Sequence, residues 1–239
     1  MGIKVDRIVL RQIRMPLVHF FETSFGRTYE RDIVLVEVSA HGVSGWGEVT
    51  AGENPFYNEE WTGSVWPLLV DYIAPRILEE NLSSPSDAGR RTEHLRGHYM
   101  ARGGMETAIW DLQARLNKEP LWKTIGGDAR REIACGVSIG IQNTVNELLN
   151  KIDTELAAGY QRIKMKIKPG WDVDVLRQVR ERFPGIKLMA DANSASGMDW
   201  NSSAAHSHCP IQINARSASS LTFSLGSVRT KAIAASDWR

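Results

Sequence analysis

The stretch that most constrains the fold runs from Tyr160 to Asn193, YQRIKMKIKPGWDVDVLRQVRERFPGIKLMADAN. Lys164, Lys166 and Lys168 alternate with Ile163, Met165 and Ile167. On a strand, a period of two sends the lysines to one face and the apolar residues to the other. Pro169-Gly170 ends that strand. Asp172 can cap a helix on which Val173, Leu176, Val179 and Arg180 recur at helical spacing. Pro184-Gly185 ends the helix, and KLMADAN reads as a second strand finishing on Asp191 and Asn193. Strand, crossover helix and strand predict a βαβ unit with a parallel sheet.

Two readings of the lysines follow. In one, they form the solvated face of a half-buried strand, since lysine is almost never fully buried unless paired. In the other, the apolar face packs on helices and the lysines converge beside Asp191. Two ammonium groups sharing a cavity would depress each other's pKa, as a lysine general base near neutral pH requires. A carboxylate ending the next strand could hold a metal there.

The 239 residues allow one large or two small domains. A net charge of +1 argues against a nucleic-acid footprint. Nothing reads as a signal peptide, and no apolar run approaches the roughly 20 residues that span a bilayer. Cys135 and Cys209 lie far apart without metal-ligand spacing, so a reduced, cytoplasmic setting is expected.

Upstream, residues 3–14, 32–39 and 45–49 read as three strands of an antiparallel meander, with a turn at His41-Gly42. The segment HFFETSFGRTYE (19–30) between the first two is expected to be a long loop rather than a tight hairpin. TAGENPFYNEE (50–60) is a second loop. Residues 59–79 are helical, with Pro67 and Pro75 as kinks or breaks. Pro85 opens a helix to about Gly97, on which His94 and His98 stand four apart. That spacing can bind metal, but the glutamate of a zinc protease is absent between them and a structural role is favoured. Residues 100–117 form an amphipathic helix striped by Ala108, Ile109, Leu112 and Leu116. After Gly126-Gly127-Asp128 the pattern changes. IACGVSIGI (133–141) reads as a strand buried on both sides. Thr144 caps a helix to Ala158, with Glu147 completing a capping box and Gly159 ending it.

MPLVHFFETSFG, GWGEV, GGMETAIWDLQARL, CGVSIGI, RIKMKIKPGWDVD and DANSA, in that order, resemble the enolase superfamily, and within it the o-succinylbenzoate synthase and N-acylamino acid racemase family. The resemblance covers roughly residues 3 to 195. It implies an α+β capping domain over 1–130, then the first three units of a (β/α) barrel over 131–195. It also implies metal-dependent removal of a proton α to a carboxylate, with a lysine or histidine base and Mg2+ stabilising the resulting enediolate. Lys166 would be the base, Lys164 its partner in stabilising charge, and Asp191 the first ligand of a divalent metal, Mg2+. Ser138, Asn193, Phe21 and Phe25 would contact the substrate. The activity implied is o-succinylbenzoate synthesis in the menaquinone pathway, with N-acylamino acid racemisation as the alternative. A sugar-acid dehydratase is disfavoured by Lys-x-Lys in place of a lysine–histidine pair. The partner expected is a small carboxylate, with no nucleic acid or membrane, and a homo-oligomer in the intact family member.

After Ala195 the motifs stop. Residues 196–239 are rich in serine and alanine, show neither period, and are expected to be a disordered tail outside the family pattern. A glutamate-bearing strand, a later aspartate and a second lysine motif are missing. The abrupt change predicts an altered reading frame and a catalytically inactive fragment as the other reading. A sequence of the other two frames after codon 195 that shows neither the glutamate strand nor the lysine motif would sink that prediction.

Overall fold

A computed structural model describes residues 2–78, 81–128, 132–193 and 228–234. They fall into two compact units. The first contains described residues 2–16, 30–128 and 228–234, and the second 17–29 and 132–193. The chain passes from the first unit to the second between described residues 128 and 132. Residues 17–29, however, belong with the second unit and 228–234 with the first.

β1 (Arg7–Thr23), β2 (Gly26–Ala40), β3 (Val43–Val49) and β7 (Val228–Ala234) form one sheet in the order β3-β2-β1-β7, and residues 17–29 at the joined ends of β1 and β2 are those counted with the second unit. β2 and β3 are antiparallel, with Val34 opposite Val49 and Ala40 opposite Val43. The turn between them places His41 at φ 52° and Gly42 at φ 76°. Two left-handed residues are what a tight hairpin turn compatible with strand twist requires. Ile8, Leu10, Val34, Val36 and Val38 are buried against the apolar stripe of α4 (Tyr99–Leu116), where Met105, Ala108, Ile109 and Leu112 are also buried. The glycines of GWG decide how closely this helix sits. A Cβ at Gly45 would run into the backbone of Ala108 and Leu112, and one at Gly47 into that of Gly104. α4 therefore lies on the strand almost without side chains between them.

The predicted helix at 59–79 is one helical run in three parts. α1 (Thr62–Leu68) contains Pro67, a π-helical turn spans Leu69–Ile73, and α2 (Ala74–Leu78) carries Pro75 in its first turn. The helical run continues through both prolines with a π turn between them, so the chain is distorted rather than broken. The helix opened by Pro85 is shorter than expected: α3 (Ser86–Thr92) stops before His94. His94 accepts from Arg76 Nε at 3.2 Å, while His98 takes φ 56° ahead of α4. With no helix running through both, the four-residue spacing has no metal geometry. α4 is capped from a distance instead: buried Glu60 accepts the amides of Met100 and Ala101 at 2.7 and 2.9 Å. A short α5 (Leu121–Thr124) follows.

The second unit has β4 (Gly136–Ile139), α6 (Val145–Ala157), β5 (Arg162–Lys166), α7 (Val173–Arg182) and β6 (Lys187–Asp191). The strands are parallel, in the order β4-β5-β6. Thr144 caps α6 by accepting the Glu147 amide at 3.1 Å, and Gly159 ends the turn beyond it at φ 97°. Asp172 caps α7 by accepting the Val173 amide at 2.7 Å. The core is Ile139, Leu148, Ile152, Ile163, Met165, Ile167, Val175 and Val179. The apolar face of the alternating strand packs here as the sequence predicts, but the α7 stripe is displaced: Val175 and Val179 are buried, whereas Val173 is 58% exposed.

Two expectations are corrected. Residues 19–30 are not a loop: β1 runs to Thr23, a two-residue turn at Ser24-Phe25 follows, and β2 begins at Gly26. Thr23 Oγ1 accepts the Phe25 amide at 3.2 Å, and Gly26 takes φ 148°. The aromatic and β-branched residues that suggested a functional loop also favour strand, and Phe20 and Tyr29 pack 6.2 Å apart on it. Disorder of the whole tail also fails, because Val228–Ala234 pairs antiparallel with β1 from Arg7↔Ala234 to Ile13↔Val228. The open edge of β1 offers unpaired amides and carbonyls, and Ile233 is buried there. The rest of residues 196–239 lies outside the described residues. Among the described residues no helix is long and apolar enough to cross a membrane.

Candidate active site

The register of the parallel sheet assembles the residues singled out from the sequence. Ser138 on β4 stands beside Lys164 on β5, and Lys166 beside Asp191 on β6. Ile163, Met165 and Ile167 turn into the core, so the lysines take the other face. That face is not simply solvated. Lys166 is 7% exposed, and its Nζ donates to Asp191 Oδ2 at 2.7 Å. Lys164 Nζ lies 3.2 Å from the same oxygen. The second reading of the alternation therefore describes the geometry: both amines converge on the acid that ends the next strand.

The acid is fixed from its other side. The Asn193 amide donates to Asp191 Oδ1 at 3.0 Å, and Asn193 adopts φ 49°. Asparagine tolerates this left-handed backbone better than most residues. Beyond the strand end, the Ile167 amide still donates to the Asp191 carbonyl at 3.0 Å. Burial opposes ionisation of Asp191. The Lys166 hydrogen bond, the Asn193 amide and Lys164 outweigh it and hold the carboxyl below its ordinary value.

Two polar atoms in this cluster are buried without a partner: Ser138 Oγ and Asn193 Oδ1. A buried hydroxyl or amide oxygen left unpaired costs about 1–3 kcal/mol, so both atoms are available to hydrogen-bond a bound molecule. Phe21 is half-buried, with Cδ2 3.2 Å from where a Cβ at Gly140 would stand. Phe25 is 55% exposed in the hairpin turn. Phe21 thus packs at the end of β4, and Phe25 does not share its burial.

The described residues do not fit a divalent metal by themselves. They include no group of three acids, histidines or cysteines near enough to hold one. Asp191 is a single carboxylate with both oxygens already engaged, by the two lysines and by the Asn193 amide. A hard cation such as Mg2+ needs near-octahedral oxygen ligation.

Sequence reasoning missed Glu22. It is 8% exposed on the hairpin, and its Oε1 accepts from Lys168 Nζ at 2.7 Å. Its Oε2 accepts from Arg27 Nε at 2.6 Å. The Lys168 hydrogen bond is the main cause of a lowered Glu22 pKa, with burial opposing and Arg27 assisting. The one available signal was a lone carboxylate among the aromatics and hydroxyls of HFFETSFG.

Comparisons with known proteins give the family. Residues 6–126 match the mandelate racemase/muconate lactonizing enzyme N-terminal domain, and residues 147–210 match the enolase C-terminal domain-like model. The second match continues past Ala195, where the recognised motifs end. An o-succinylbenzoate synthase of Geobacillus stearothermophilus is 46% identical over 82% of this chain and 52% of its own length. An N-succinylamino acid racemase of Thermus thermophilus is 41% identical over 80% of this chain and 52% of its own. A solved enolase-superfamily structure from Enterococcus faecalis superimposes with a TM-score of 0.71 at 36% identity, covering 82% of this chain and 53% of that one. The chain belongs to the enolase superfamily, in the o-succinylbenzoate synthase and N-acylamino acid racemase family. It spans about half the length of the curated relatives it matches.

Proposed function

We propose that this chain carries the lysine side of a site that removes a proton α to a carboxylate. The observation that supports this best is the convergence of Lys164 and Lys166 on Asp191, with Ser138 Oγ and Asn193 Oδ1 buried and unpaired nearby. Parallel α/β sheets place ligands at the carboxyl ends of their strands, where these residues lie. Lys166, the more buried amine, takes the α-proton. Lys164 balances the charge that develops on the substrate, and Asp191 orients both amines. Ser138 and Asn193 hold the substrate, and Phe21 and Phe25 bound its pocket. The parallel strands are the first three units of a (β/α) barrel.

The reaction class is o-succinylbenzoate synthesis by dehydration, with N-acylamino acid racemisation second. The names of the two relatives support both. Racemisation needs a proton donor on the opposite face, and the described residues place both site lysines on one strand. A divalent cation, Mg2+ by family resemblance, would stabilise the negative charge of the enolised carboxylate. By resemblance Asp191 would be its first ligand, but both its oxygens are engaged by Lys166, Lys164 and the Asn193 amide, and the described residues alone do not fit the cation.

The test is exchange of the substrate α-proton in D2O, followed by NMR. Parent protein should exchange it, and Lys166→Ala should slow exchange by about 10²–10⁴-fold, the usual contribution of a general base. Unchanged exchange in that variant would remove Lys166 from the role.

A second reading, a non-catalytic fragment, is favoured by the single carboxylate among the described residues. Calorimetric titration with MgCl2 separates the two. Tight binding contradicts the fragment, and no binding together with no proton exchange supports it.

A further inference from the structure

Three parallel strands end at a common edge, and the tip of the 17–29 hairpin touches the end of each. At β4, the Ile141 amide donates to the Glu22 carbonyl at 3.0 Å, and Arg27 Nη2 donates to Asn143 Oδ1 at 2.9 Å. At β5, Lys168 Nζ donates to Glu22 Oε1 at 2.7 Å. At β6, Ser24 Oγ donates to the Ala192 carbonyl at 2.8 Å. The hairpin's own cation, Arg27, stacks over Phe20 with its guanidinium carbon 3.8 Å from the ring centre and donates to Glu22 Oε2 at 2.6 Å.

Glu22 is the centre of this set. Both carboxylate oxygens and the backbone carbonyl of one residue face three different partners. Burying a carboxylate costs several kcal/mol unless it is paired, and an apolar residue at such a position is often no less stable. A buried, doubly paired acid therefore contributes more to fixing one arrangement than to raw stability. Gly140 is part of the same fit: a Cβ there would stand 3.1 Å from the Glu22 nitrogen, 3.2 Å from its carbonyl oxygen and 3.2 Å from Phe21 Cδ2. The lysine strand thus divides its work. Lys164 and Lys166 meet Asp191, and Lys168, the third of the alternating set, meets the hairpin.

We propose that Glu22 and Lys168 are a positioning pair that clasps the 17–29 hairpin across the ends of β4, β5 and β6, setting where Phe21 stands. Its bearing on substrate rests on the proton-abstraction reading, but the clasp is measurable without turnover. The experiment is amide hydrogen exchange by mass spectrometry on the full chain. The variants are Glu22→Gln, Lys168→Met, the double variant, and Lys168→Arg. Exchange over 17–29 is expected to rise at least tenfold in each single variant, while peptides of α6 and α7 stay within twofold. The double variant should add little to either single one, and Lys168→Arg should restore most of the protection. Unchanged exchange over 17–29, an equal rise across α6 and α7, or additive single effects would overturn the clasp. Gly140→Ala is the second probe, and it should raise exchange in the hairpin with both charges intact. Loss of proton exchange in Lys166→Ala bears on the catalytic reading alone and leaves this one standing.

Discussion

β3 and β5 follow the same rule and meet opposite fates. In β3, Gly45, Gly47 and Val49 are buried while Trp46 and Glu48 are exposed, a clean in–out alternation. In β5, Ile163 and Met165 are buried on one face, yet Lys166 on the other face is buried too. β3 lies at the edge of its sheet, and its outer face is left to solvent. β5 is central, with Asp191 delivered by the next strand directly beside Lys166. Period two decides which residues share a face. It does not decide whether that face is wet, because the answer lies on a neighbouring strand. The first unit has a cross-strand pair as well, Arg11 with Glu37 at 2.7 Å, and Ser44 donates to the same carboxylate. An ion pair alone therefore does not mark a site. The position at the carboxyl ends of parallel strands separates the second cluster from the first.

The contrast can be broken most forcefully on the buried faces. Met165→Ala should cost about 2–5 kcal/mol in urea unfolding, as large-to-small core changes do. On β3 the corresponding damage comes from adding volume. Gly47→Val should cost about 1–3 kcal/mol or more, because the α4 backbone occupies the space. A Gly47→Val protein as stable as the parent would mean that α4 is not seated on this strand.

Smaller effects sharpen the same comparison. Thr144→Ala removes the cap of α6 and should lower stability by about 1 kcal/mol. Glu48→Gln on the open face of β3 should stay within about 0.5 kcal/mol of the parent.

The pH dependence is the finest test. Asp191 has a folded pKa below its ordinary 3.8, so above that value its contribution to stability is fully present. Below it the unfolded chain binds the proton first, and stability falls as pH drops toward the lowered folded value. Asp191→Asn should flatten this part of the acid limb of a stability profile. An identical limb in the variant would contradict the pairing with Lys166. Glu22→Gln should act in the same direction below about 4.5.

Much of this was legible in order. The strand–helix–strand pattern of 160–193, the caps at Thr144 and Asp172 and the stripe of α4 all follow from local chemistry. The candidate pair Lys164–Lys166 and its acid were also readable, since alternation and a strand-ending aspartate are one-dimensional signals. The hairpin was misread because its aromatic residues fit a binding loop and a strand equally well, and only pairing distinguishes them. Glu22 was overlooked because its partner Lys168 is 146 residues away. The edge strand at Val228–Ala234 carries no period that announces it, and the open side of β1 supplies the order.

The sequence by itself determined the alternation, the caps and turns, and hence which side chains could share a face, because each depends on residues a few positions apart. Tertiary structure alone decided that Lys166 is buried against Asp191, that Lys168 is drawn to Glu22 instead, and that Ser138 Oγ and Asn193 Oδ1 lack partners. Those outcomes depend on the desolvation and pairing of groups brought together from distant positions, which local spacing does not encode.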